Sequence, residues 1–357
     1  MVKKKIFITT GGSGGHIIPA IALYTDLKKR GHIVDIISDK RGQKFFNFFS
    51  KINPKIIDSK PLLNKNIFKF FFSLLIFCKS FLLSFFYLLR NKPDLIFGMG
   101  GYSSVPICIS AKIIGINFFI YENNLLAGKS NRLLSIFARR ILVSYKDVQG
   151  FKDKYKVKTS YVGNIIREKI LNFKSQNKNS KKISILILGG SQAAKIFAEK
   201  IPRIIKLCKS NKIDIKIFQQ CLIDQNKYLR TFYKKNQISF KLFNFEKDIL
   251  NYYKKANVVI TRSGSSVIAE LINCQIPFIA IPLESSADNH QLINATYFKK
   301  KGMCYLLREH EIDRKLFLLI KSFHRDKSLL PKIKNKQKKI IYKKVYKNIE
   351  NEINFYS

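Results

Sequence analysis

Short apolar segments alternate with longer amphipathic segments along about the first 165 residues of the chain. The short segments are rich in Ile, Phe and Val, whereas the longer ones repeat apolar residues at the three- to four-residue spacing of a helix. Alternation of this kind predicts a parallel sheet flanked by helices. The predicted strands are residues 6–9, 33–37, 94–97, 118–121 and 141–143, and the predicted helices are residues 19–30, 105–114 and 129–137.

The same pattern restarts after a polar segment at residues 172–179, which is typical of a linker. Residues 183–188 are apolar at almost every position, which indicates a strand buried on both faces. The predicted helices that follow are residues 194–210, 249–256 and 266–273, and the predicted strands are residues 213–219, 238–242, 258–261 and 277–281.

Two α/β halves that each open with a strand and a glycine loop predict two Rossmann-like parallel-sheet domains facing across a cleft. We place the first domain at residues 1–165 and the second at residues 166–335. A basic C-terminal tail, residues 336–357, is predicted to be helical, and its packing on the first domain is left open.

One segment departs from this alternation, because residues 67–89 are apolar at nearly every position. About 20 apolar residues suffice to cross a bilayer. The uncharged stretch between Lys69 and Lys79 is shorter than that, and a lysine near the bilayer centre costs about 3 kcal/mol. An interfacial membrane helix with cations reaching anionic headgroups, a buried core helix and a true membrane span are the three alternatives.

The charge is strongly positive, with 66 Lys and Arg against 23 Asp and Glu and a formal net charge of +43 at pH 7. Such a charge suits nucleic acid, an anionic membrane or a phosphorylated ligand. The chain is also rich in Lys, Asn, Ile and Phe, which codons rich in A and T produce by drift, so charge alone identifies no partner. The six cysteines lack C-x-x-C or His-rich spacing, so neither a metal site nor a disulfide framework is predicted.

A glycine loop, Thr10-Gly11-Gly12-Ser13-Gly14-Gly15-His16, directly follows the first predicted strand. Glycines allow close backbone approach, and a helix N-terminus behind them offers free N–H groups to a phosphate. The loop is not the dinucleotide fingerprint G-x-G-x-x-G, because Ile17 stands at the third glycine position. His16 can accept a proton near neutral pH; a structural histidine and an unliganded turn are the alternatives.

The second half also has a glycine loop after a strand, Gly189-Gly190-Ser191-Gln192. A second phosphate-sized site is expected there. Arg262 follows a later strand and can clamp a diphosphate oxygen. Glu270 shares a helical face with Ser266, where a carboxylate can bind paired sugar hydroxyls or remain a solvated charge. The sequence Asp288-Asn289-His290-Gln291 suits polyol recognition or helix capping. No Walker A loop, G-x-S-x-G or zinc signature is present, so hydrolase and kinase functions are not indicated.

Seven short motifs follow one another between about residues 5 and 310. They are G-G-S-G-G-H at 11–16, G-M-G-G-Y-S at 98–103, Y-E-N-N at 121–124, G-N-x-x-R at 163–167, G-G-S-Q at 189–192, R-S-G at 262–264 and D-N-H-Q-x-x-N-A at 288–295. In this order they make nearly the whole chain similar to the MurG family of peptidoglycan N-acetylglucosaminyltransferases.

The resemblance implies a GT-B fold and an inverting transferase that moves GlcNAc from UDP-GlcNAc to the 4-hydroxyl of undecaprenyl-pyrophosphoryl-MurNAc-pentapeptide (lipid I to lipid II). It implies a peripheral enzyme on the cytoplasmic face of the inner membrane, docked on anionic lipid through residues 67–89, with no metal, cofactor or nucleic-acid partner. It also implies that His16 is the general base. The residues implied to bind UDP-GlcNAc are Ser13, Gly14, Gly15, Asn124, Arg167, Ser191, Ser265, Glu270 and Gln291.

The chain departs from the family pattern at several positions. Tyr121 and Asn123 stand where the family usually has His and Gln, and Ile165 replaces a proline. Ala193 replaces the last glycine of the second glycine loop. Two alternative functions are a related GT-B enzyme that glycosylates diacylglycerol and a non-catalytic polyanion-binding protein.

Overall fold

The computed structural model describes residues 3–49, 52–60, 67–174, 182–190, 195–246, 248–340 and 342–356. Within these ranges the strands form two sheets in which every pairing is parallel. The chain divides into two compact units. Unit 1 is Met1–Arg167 with Tyr342–Ser357, and unit 2 is Glu168–Ile341.

Unit 1 opens with alternating strands and helices. Its strands are β1 (Lys5–Thr9), β2 (Ile33–Ser38), β3 (Lys55–Ile56), β4 (Leu95–Gly98), β5 (Asn117–Glu122), β6 (Arg140–Val143) and β7 (Thr159–Tyr161). Its first helices are α1 (Gly14–Lys29), α2 (Lys40–Phe49), α3 (Ile67–Asn91), α4 (Ser104–Ile114) and α5 (Lys129–Leu134). The sheet order is β3-β2-β1-β4-β5-β6-β7.

The central strands of this sheet are buried at nearly every position, and β4 is buried throughout. Helices cover both faces of such a sheet, so its strands read as continuous apolar segments rather than as alternating ones. The five strands predicted for this half are confirmed as β1, β2, β4, β5 and β6.

Unit 2 repeats the arrangement. Its strands are β8 (Ile183–Leu188), β9 (Ile215–Gln220), β10 (Ser239–Phe243), β11 (Val258–Thr261), β12 (Phe278–Ala280) and β13 (Tyr305–Leu306). Its helices are α6 (Glu168–Leu171), α7 (Lys195–Ser210), α8 (Ile223–Lys235), α9 (Leu250–Tyr253), α10 (Ser265–Asn273), α11 (His290–Lys300), α12 (Ile312–Arg325) and α13 (Leu329–Gln337). The sheet order is β10-β9-β8-β11-β12-β13, and the five strands predicted for this half are confirmed as β8 to β12.

The last helix, α14 (Val345–Tyr356), returns to unit 1. The Glu352 carboxylate accepts hydrogen bonds from Arg140 Nε at 2.7 Å and from the Ser160 hydroxyl. The Tyr346 hydroxyl donates to the Ile166 carbonyl at 2.7 Å. The basic tail is therefore not one continuous helix, because α13 ends before the chain re-enters unit 1 and α14 begins there.

Helix α3 exposes several bulky apolar side chains and buries two of its serines. Phe71, Leu75 and Phe86 are 56%, 69% and 65% exposed, whereas Ser80 and Ser84 are buried. Helix α3 also contacts α4, because the Ser110 hydroxyl donates to the Phe81 carbonyl at 3.2 Å. The alternative of a buried core helix holds for only one side of α3, where Leu88 is buried in the core. The side that contains Phe71, Leu75 and Phe86 lies outside the packed interior.

Each sheet has a point where the strand order changes direction. In unit 1, β1 is flanked by β2 and β4, and in unit 2, β8 is flanked by β9 and β11. Open parallel sheets bind ligands beside the carboxyl ends of the strands at this point. Both glycine loops of the sequence follow these central strands directly.

Candidate active site

The candidate site of unit 1, here the N-terminal glycine site, comprises residues 11–16 after β1 and residues 98–103 after β4. Helix α1 begins at Gly14, with Ser13 as its N-cap, so Ser13, Gly14 and Gly15 together form a helix N-terminus. The prediction that this helix begins at residue 19 is wrong, because Pro19 lies inside α1. The first N–H groups of the helix therefore belong to the glycines themselves.

A buried carboxylate holds the glycine loop. Asp39, which follows β2 and is 1% exposed, accepts from the N–H of Gly12 at 3.2 Å and from that of Gly42 at 2.8 Å. The half-exposed Arg41 guanidinium forms an ion pair with the same carboxylate at 2.6 Å. A buried carboxylate needs such partners, because its desolvation is otherwise costly. Asp39 thus holds the glycine loop through the backbone N–H of Gly12.

The His16 ring lies against the backbone of Gly100. A Cβ added to Gly100 would stand 3.0 Å from both Cε1 and Nδ1 of His16, and Gly100 has a φ of +87°. Only glycine meets both requirements without strain. His16 is half-buried at the third position of α1, so the imidazole is held at the edge of the N-terminal glycine site.

A second buried carboxylate organises the loop after β5. Glu122, 1% exposed, accepts from the backbone N–H and the side-chain amide of Asn124 at 2.9 and 3.1 Å. Its other oxygen accepts from the Gly128 N–H at 2.9 Å and from Asn131 Nδ2 at 2.8 Å. The half-buried Asn124 side chain is therefore held in place by the loop itself.

Asn123 connects this loop to α1. In a regular helix the N–H of residue 19 would donate to the carbonyl of Gly15, but Pro19 has no N–H. The Asn123 side chain donates to that carbonyl instead, at 2.9 Å. The departure from the family pattern at position 123 thus retains an amide that binds the first turn of α1.

Tyr121 holds the segment that leads to Arg167. Its hydroxyl donates to the Gly163 carbonyl at 3.3 Å and accepts from the N–H of Ile165 at 2.9 Å and from the Ser144 hydroxyl at 2.7 Å. Burial raises the pKa of Tyr121 well above its ordinary value, so the phenol stays protonated and its donor role persists. The half-buried Arg167 follows two residues after this anchored turn.

The candidate site of unit 2, here the C-terminal glycine site, comprises residues 189–190 after β8 and residues 262–270 after β11. Gly190 has a φ of +78°, a left-handed conformation that favours glycine. The predicted diphosphate ligand Ser191 lies outside the described residues. Helix α10 begins at the buried Ser265, with Gly264 as N-cap, so a second helix N-terminus lies at the carboxyl edge of a sheet.

Glu270 lies in the second turn of α10 and is only 7% exposed. The Tyr253 hydroxyl, from the end of α9, donates to Glu270 Oε2 at 3.0 Å. The alternative of a solvated surface charge is therefore wrong. A buried carboxylate close to a helix N-terminus suits recognition of a polar ligand.

Arg262 does not have the position expected of a diphosphate clamp. It is 8% exposed, donates to the carbonyls of Ile281 and Pro282 at 3.2 and 3.0 Å, and pairs with Glu309 at 2.5 Å. These partners occupy the guanidinium inside unit 2. Arg262 therefore ties the ends of β11 and β12 together instead of presenting its charge at the edge.

Gln291 lies in the first turn of α11, after two residues with left-handed backbone, Asp288 and Asn289. Its Oε1 accepts from the N–H of Leu283 at 3.0 Å. The amide is therefore fixed against the loop that follows β12, near the edge where α10 begins.

The described residues contain no group of three His, Cys, Asp or Glu side chains that could hold a metal ion. All cysteines except Cys78 are buried. Burial raises the pKa of Cys208 and Cys304 to about 12, so these thiols are poor nucleophiles.

Some site residues were not among the predicted ones. Asp39 follows the predicted strand at 33–37, whose last residue pairs with Thr9 just before the glycine loop, so strand order would have revealed it. Tyr253 carries no such signal, because a tyrosine in an apolar helix is typical of a core.

The fold is shared with solved structures of low identity. The crystal structure of MurG from Acinetobacter baumannii matches with a TM-score of 0.77 at 20% identity, covering 98% of this chain and 99% of that one. An S. aureus MnaA–UDP co-structure matches with a TM-score of 0.73 at 17% identity, covering 99% of this chain and 96% of that one. Residues 6–143 match the glycosyltransferase family 28 N-terminal domain, and residues 184–349 match its C-terminal domain. Fold and site together define a two-domain glycosyltransferase of the GT-B class.

Relatives of known name match along the whole chain. One from Pelagibacter ubique (strain HTCC1062), 36% identical over 99% of this chain and 97% of its own, is named UDP-N-acetylglucosamine--N-acetylmuramyl-(pentapeptide) pyrophosphoryl-undecaprenol N-acetylglucosamine transferase. The chain belongs to the MurG family within glycosyltransferase family 28. A relative of the same name from Rickettsia canadensis (strain McKiel) is 38% identical over 84% of this chain and 85% of its own.

Proposed function

We propose that this chain transfers GlcNAc from UDP-GlcNAc to the muramoyl sugar of undecaprenyl-pyrophosphoryl-MurNAc-pentapeptide, the step from lipid I to lipid II in peptidoglycan synthesis. The observation that carries this function is the full-length match to relatives of that name. The two helix N-termini at the switch points of two parallel sheets suit a reaction in which both substrates contain a diphosphate.

The N-terminal glycine site receives the acceptor in this proposal. His16 acts as general base and takes the proton of the 4-hydroxyl as that oxygen attacks the anomeric carbon of GlcNAc. Direct attack on an α-linked donor inverts the anomeric centre and gives a β-linked product. The support is the position of the imidazole against Gly100 at the edge of the helix N-terminus. Ser13, Gly14, Gly15 and Asn124 are the residues of this glycine site that contact UDP-GlcNAc during the transfer.

The C-terminal glycine site receives the donor. The leaving UDP gains negative charge in the transition state, and the N-terminus of α10 at Ser265 offers oriented N–H groups to it. Glu270 accepts from the ribose hydroxyls, and Gln291 contacts the hydroxyls of GlcNAc. Ser191 holds the diphosphate, and Arg167 is a further ligand of UDP-GlcNAc.

Helix α3 docks unit 1 on the membrane that holds the lipid-linked acceptor. At about 100° per residue, Phe71, Leu75, Leu82 and Phe86 lie on one stripe, and each is at least half exposed. Lys79 and Arg90 lie beside this stripe and are exposed. This arrangement suits a helix lying in the interface of an anionic membrane, on the cytoplasmic side where the nucleotide sugar is available. By length and composition α3 is also able to span a membrane.

An acceptor panel tests this function. Purified full-length protein is given UDP-[14C]GlcNAc with the lipid-linked MurNAc-pentapeptide, with diacylglycerol or with no acceptor, and labelled lipid is counted. We expect label in the muramoyl lipid alone. Label in diacylglycerol alone would show that diacylglycerol, and not the muramoyl lipid, is the acceptor. Salt-sensitive binding of duplex nucleic acid with no affinity for UDP would indicate a polyanion-binding protein instead.

A further inference from the structure

The carboxylate of Glu270 has a dedicated hydrogen-bond donor inside unit 2. Tyr253 Oη lies 3.0 Å from Glu270 Oε2. The tyrosine is 1% exposed and the glutamate 7%. A hydrogen bond to a charged group inside a protein is stronger than one between neutral groups, so this contact restricts the orientation of the carboxylate.

The surrounding structure fixes the tyrosine in turn. Tyr253 is the last residue of α9, and its backbone N–H donates to the Ile249 carbonyl at 3.0 Å. Helix α9 precedes β11 and α10 follows it, so the donor and the carboxylate lie on the two elements that flank one strand. Tyr253 is among the largest fully buried side chains of the residues that the structure describes, which leaves its ring little freedom to rotate.

The distance along α10 suits a nucleotide. Ser265 is the first residue of the helix, and Glu270 lies five residues later, about 7.5 Å along the axis at 1.5 Å per residue. A diphosphate at the helix N-terminus would thus place the attached ribose beside the second turn. A carboxylate there must present its oxygens in the plane of two neighbouring hydroxyls, so its rotation decides whether one or both are bound.

We propose that Tyr253 is a positioning residue that orients the Glu270 carboxylate for bidentate recognition of the ribose 2′- and 3′-hydroxyls. The inference rests on the proposed binding of UDP-GlcNAc by unit 2 and adds selectivity for ribonucleotide donors over deoxyribonucleotide donors. Without the tyrosine hydroxyl, Glu270 would rotate and keep at most one of the two contacts.

The test compares UDP with 2′-deoxy-UDP by titration calorimetry on the full-length protein. We expect wild type to bind UDP more tightly than 2′-deoxy-UDP. Tyr253→Phe should weaken UDP binding about tenfold, the scale of one hydrogen bond to a charged group, and should weaken 2′-deoxy-UDP binding much less. The ratio of the two affinities therefore falls in the variant.

The neighbouring Tyr252→Phe is the matched control. Tyr252 is also buried in α9, but its ring stacks on Phe243 at 4.2 Å, so its loss should leave the UDP to 2′-deoxy-UDP ratio unchanged. A wild-type ratio in folded Tyr253→Phe would overturn the inference and leave the proposed function intact. No UDP binding by folded wild type would overturn the proposed function, and the inference with it.

A double variant covers the case in which Tyr253→Phe does not fold. Glu270→Gln removes the buried charge, and Glu270→Gln/Tyr253→Phe removes the donor as well. If the tyrosine acts through the carboxylate, both variants show the same UDP to 2′-deoxy-UDP ratio. A ratio that falls further in the double variant would contradict the inference.

Discussion

A single proline determines which side chain reaches the first turn of α1. Pro19 lacks the N–H that would donate to the Gly15 carbonyl. The Asn123 side chain, from the loop after β5, donates to that carbonyl instead. The same loop is held by Glu122, whose neighbour Asn124 is a proposed ligand. Residues distant in sequence are thereby joined at the N-terminal glycine site.

The contact between Gly100 and His16 yields a prediction at this scale. Gly100→Ala places a methyl group about 3 Å from the imidazole and displaces it. We expect GlcNAc transfer to fall at least tenfold while the dissociation constant of UDP changes little. His16→Ala should lower turnover by about 10²–10⁴, the usual contribution of a general base, again with UDP binding retained. Initial rates and calorimetry on the same preparations measure both quantities.

Gly115→Ala is the control for backbone strain. Gly115 also has a positive φ, +85°, but a Cβ there meets nothing within 4 Å. Both alanines pay about 1–2 kcal/mol for the left-handed conformation, whereas only Gly100→Ala disturbs His16. Equal turnover in the two variants would rule out a role for the His16 position.

Most single residues of the candidate site were singled out because a short motif contains them, as for the glycines and His16. Glu270 was singled out because it shares a helical face with Ser266, but its burial and its tyrosine partner could not be foreseen. Arg262, by contrast, was predicted as a ligand, and the structure gives it other partners. Its position after a strand suggested a ligand clamp, but three partners inside unit 2 occupy its guanidinium, and such partners become visible only when distant segments are brought together.

Among the elements, helix α3 has the least common distribution of side chains. Its buried residues include Ser80 and Ser84, whereas Phe71, Leu75 and Phe86 are exposed. A helix of a water-soluble domain normally has the reverse arrangement, because exposed apolar area is unfavourable in water. An extended apolar stripe with flanking cations is therefore the feature on which the proposed docking of unit 1 on a membrane rests.

Removing this stripe should release the protein from vesicles. We expect Phe71→Ser/Leu75→Ser/Phe86→Ser to lower partitioning onto vesicles containing anionic lipid by about a hundredfold or more, because each buried Leu or Phe contributes about 1.5–3 kcal/mol. Flotation or sedimentation with liposomes gives the bound fraction, and turnover of a short-chain, water-soluble acceptor shows that the site is intact.

The matched control removes three exposed apolar side chains from unit 2, Leu207, Ile223 and Leu318. Leu207→Ser/Ile223→Ser/Leu318→Ser should bind vesicles as wild type does. Loss of binding in this control, or full binding by the α3 variant, would contradict a specific role for α3.

The strands were easier to predict than the helices. Strands such as β8 and β4 are buried on both faces and appear as unbroken apolar segments. Helix α8, by contrast, buries only Leu229 and Tyr233, so its sequence resembles a polar loop. The start of α1 was misplaced because glycines are poor helix formers, and their position at its N-terminus depends on the contacts with Asp39 and Asn123.

In the whole molecule, one chain supplies two parallel sheets of similar design. The chain leaves unit 1 after Arg167 and returns to it at Tyr342, and α14 is bound to unit 1 through Glu352 and Tyr346. In each unit a glycine loop follows the central strand at the point where the strand order reverses. This duplication was predictable, because the strand and glycine pattern appears twice in the sequence.

The proposed chemistry is tested most directly by the structure of the product. Wild-type protein is incubated with UDP-[13C]GlcNAc and the lipid-linked MurNAc-pentapeptide, and the product is analysed by NMR spectroscopy for the linkage and anomeric configuration of the labelled sugar. We predict one β-linked GlcNAc on the 4-hydroxyl of the muramoyl sugar, with one UDP released for each sugar transferred. An α linkage, attachment elsewhere, or UDP release without transfer to the lipid would contradict single-step inversion by this enzyme.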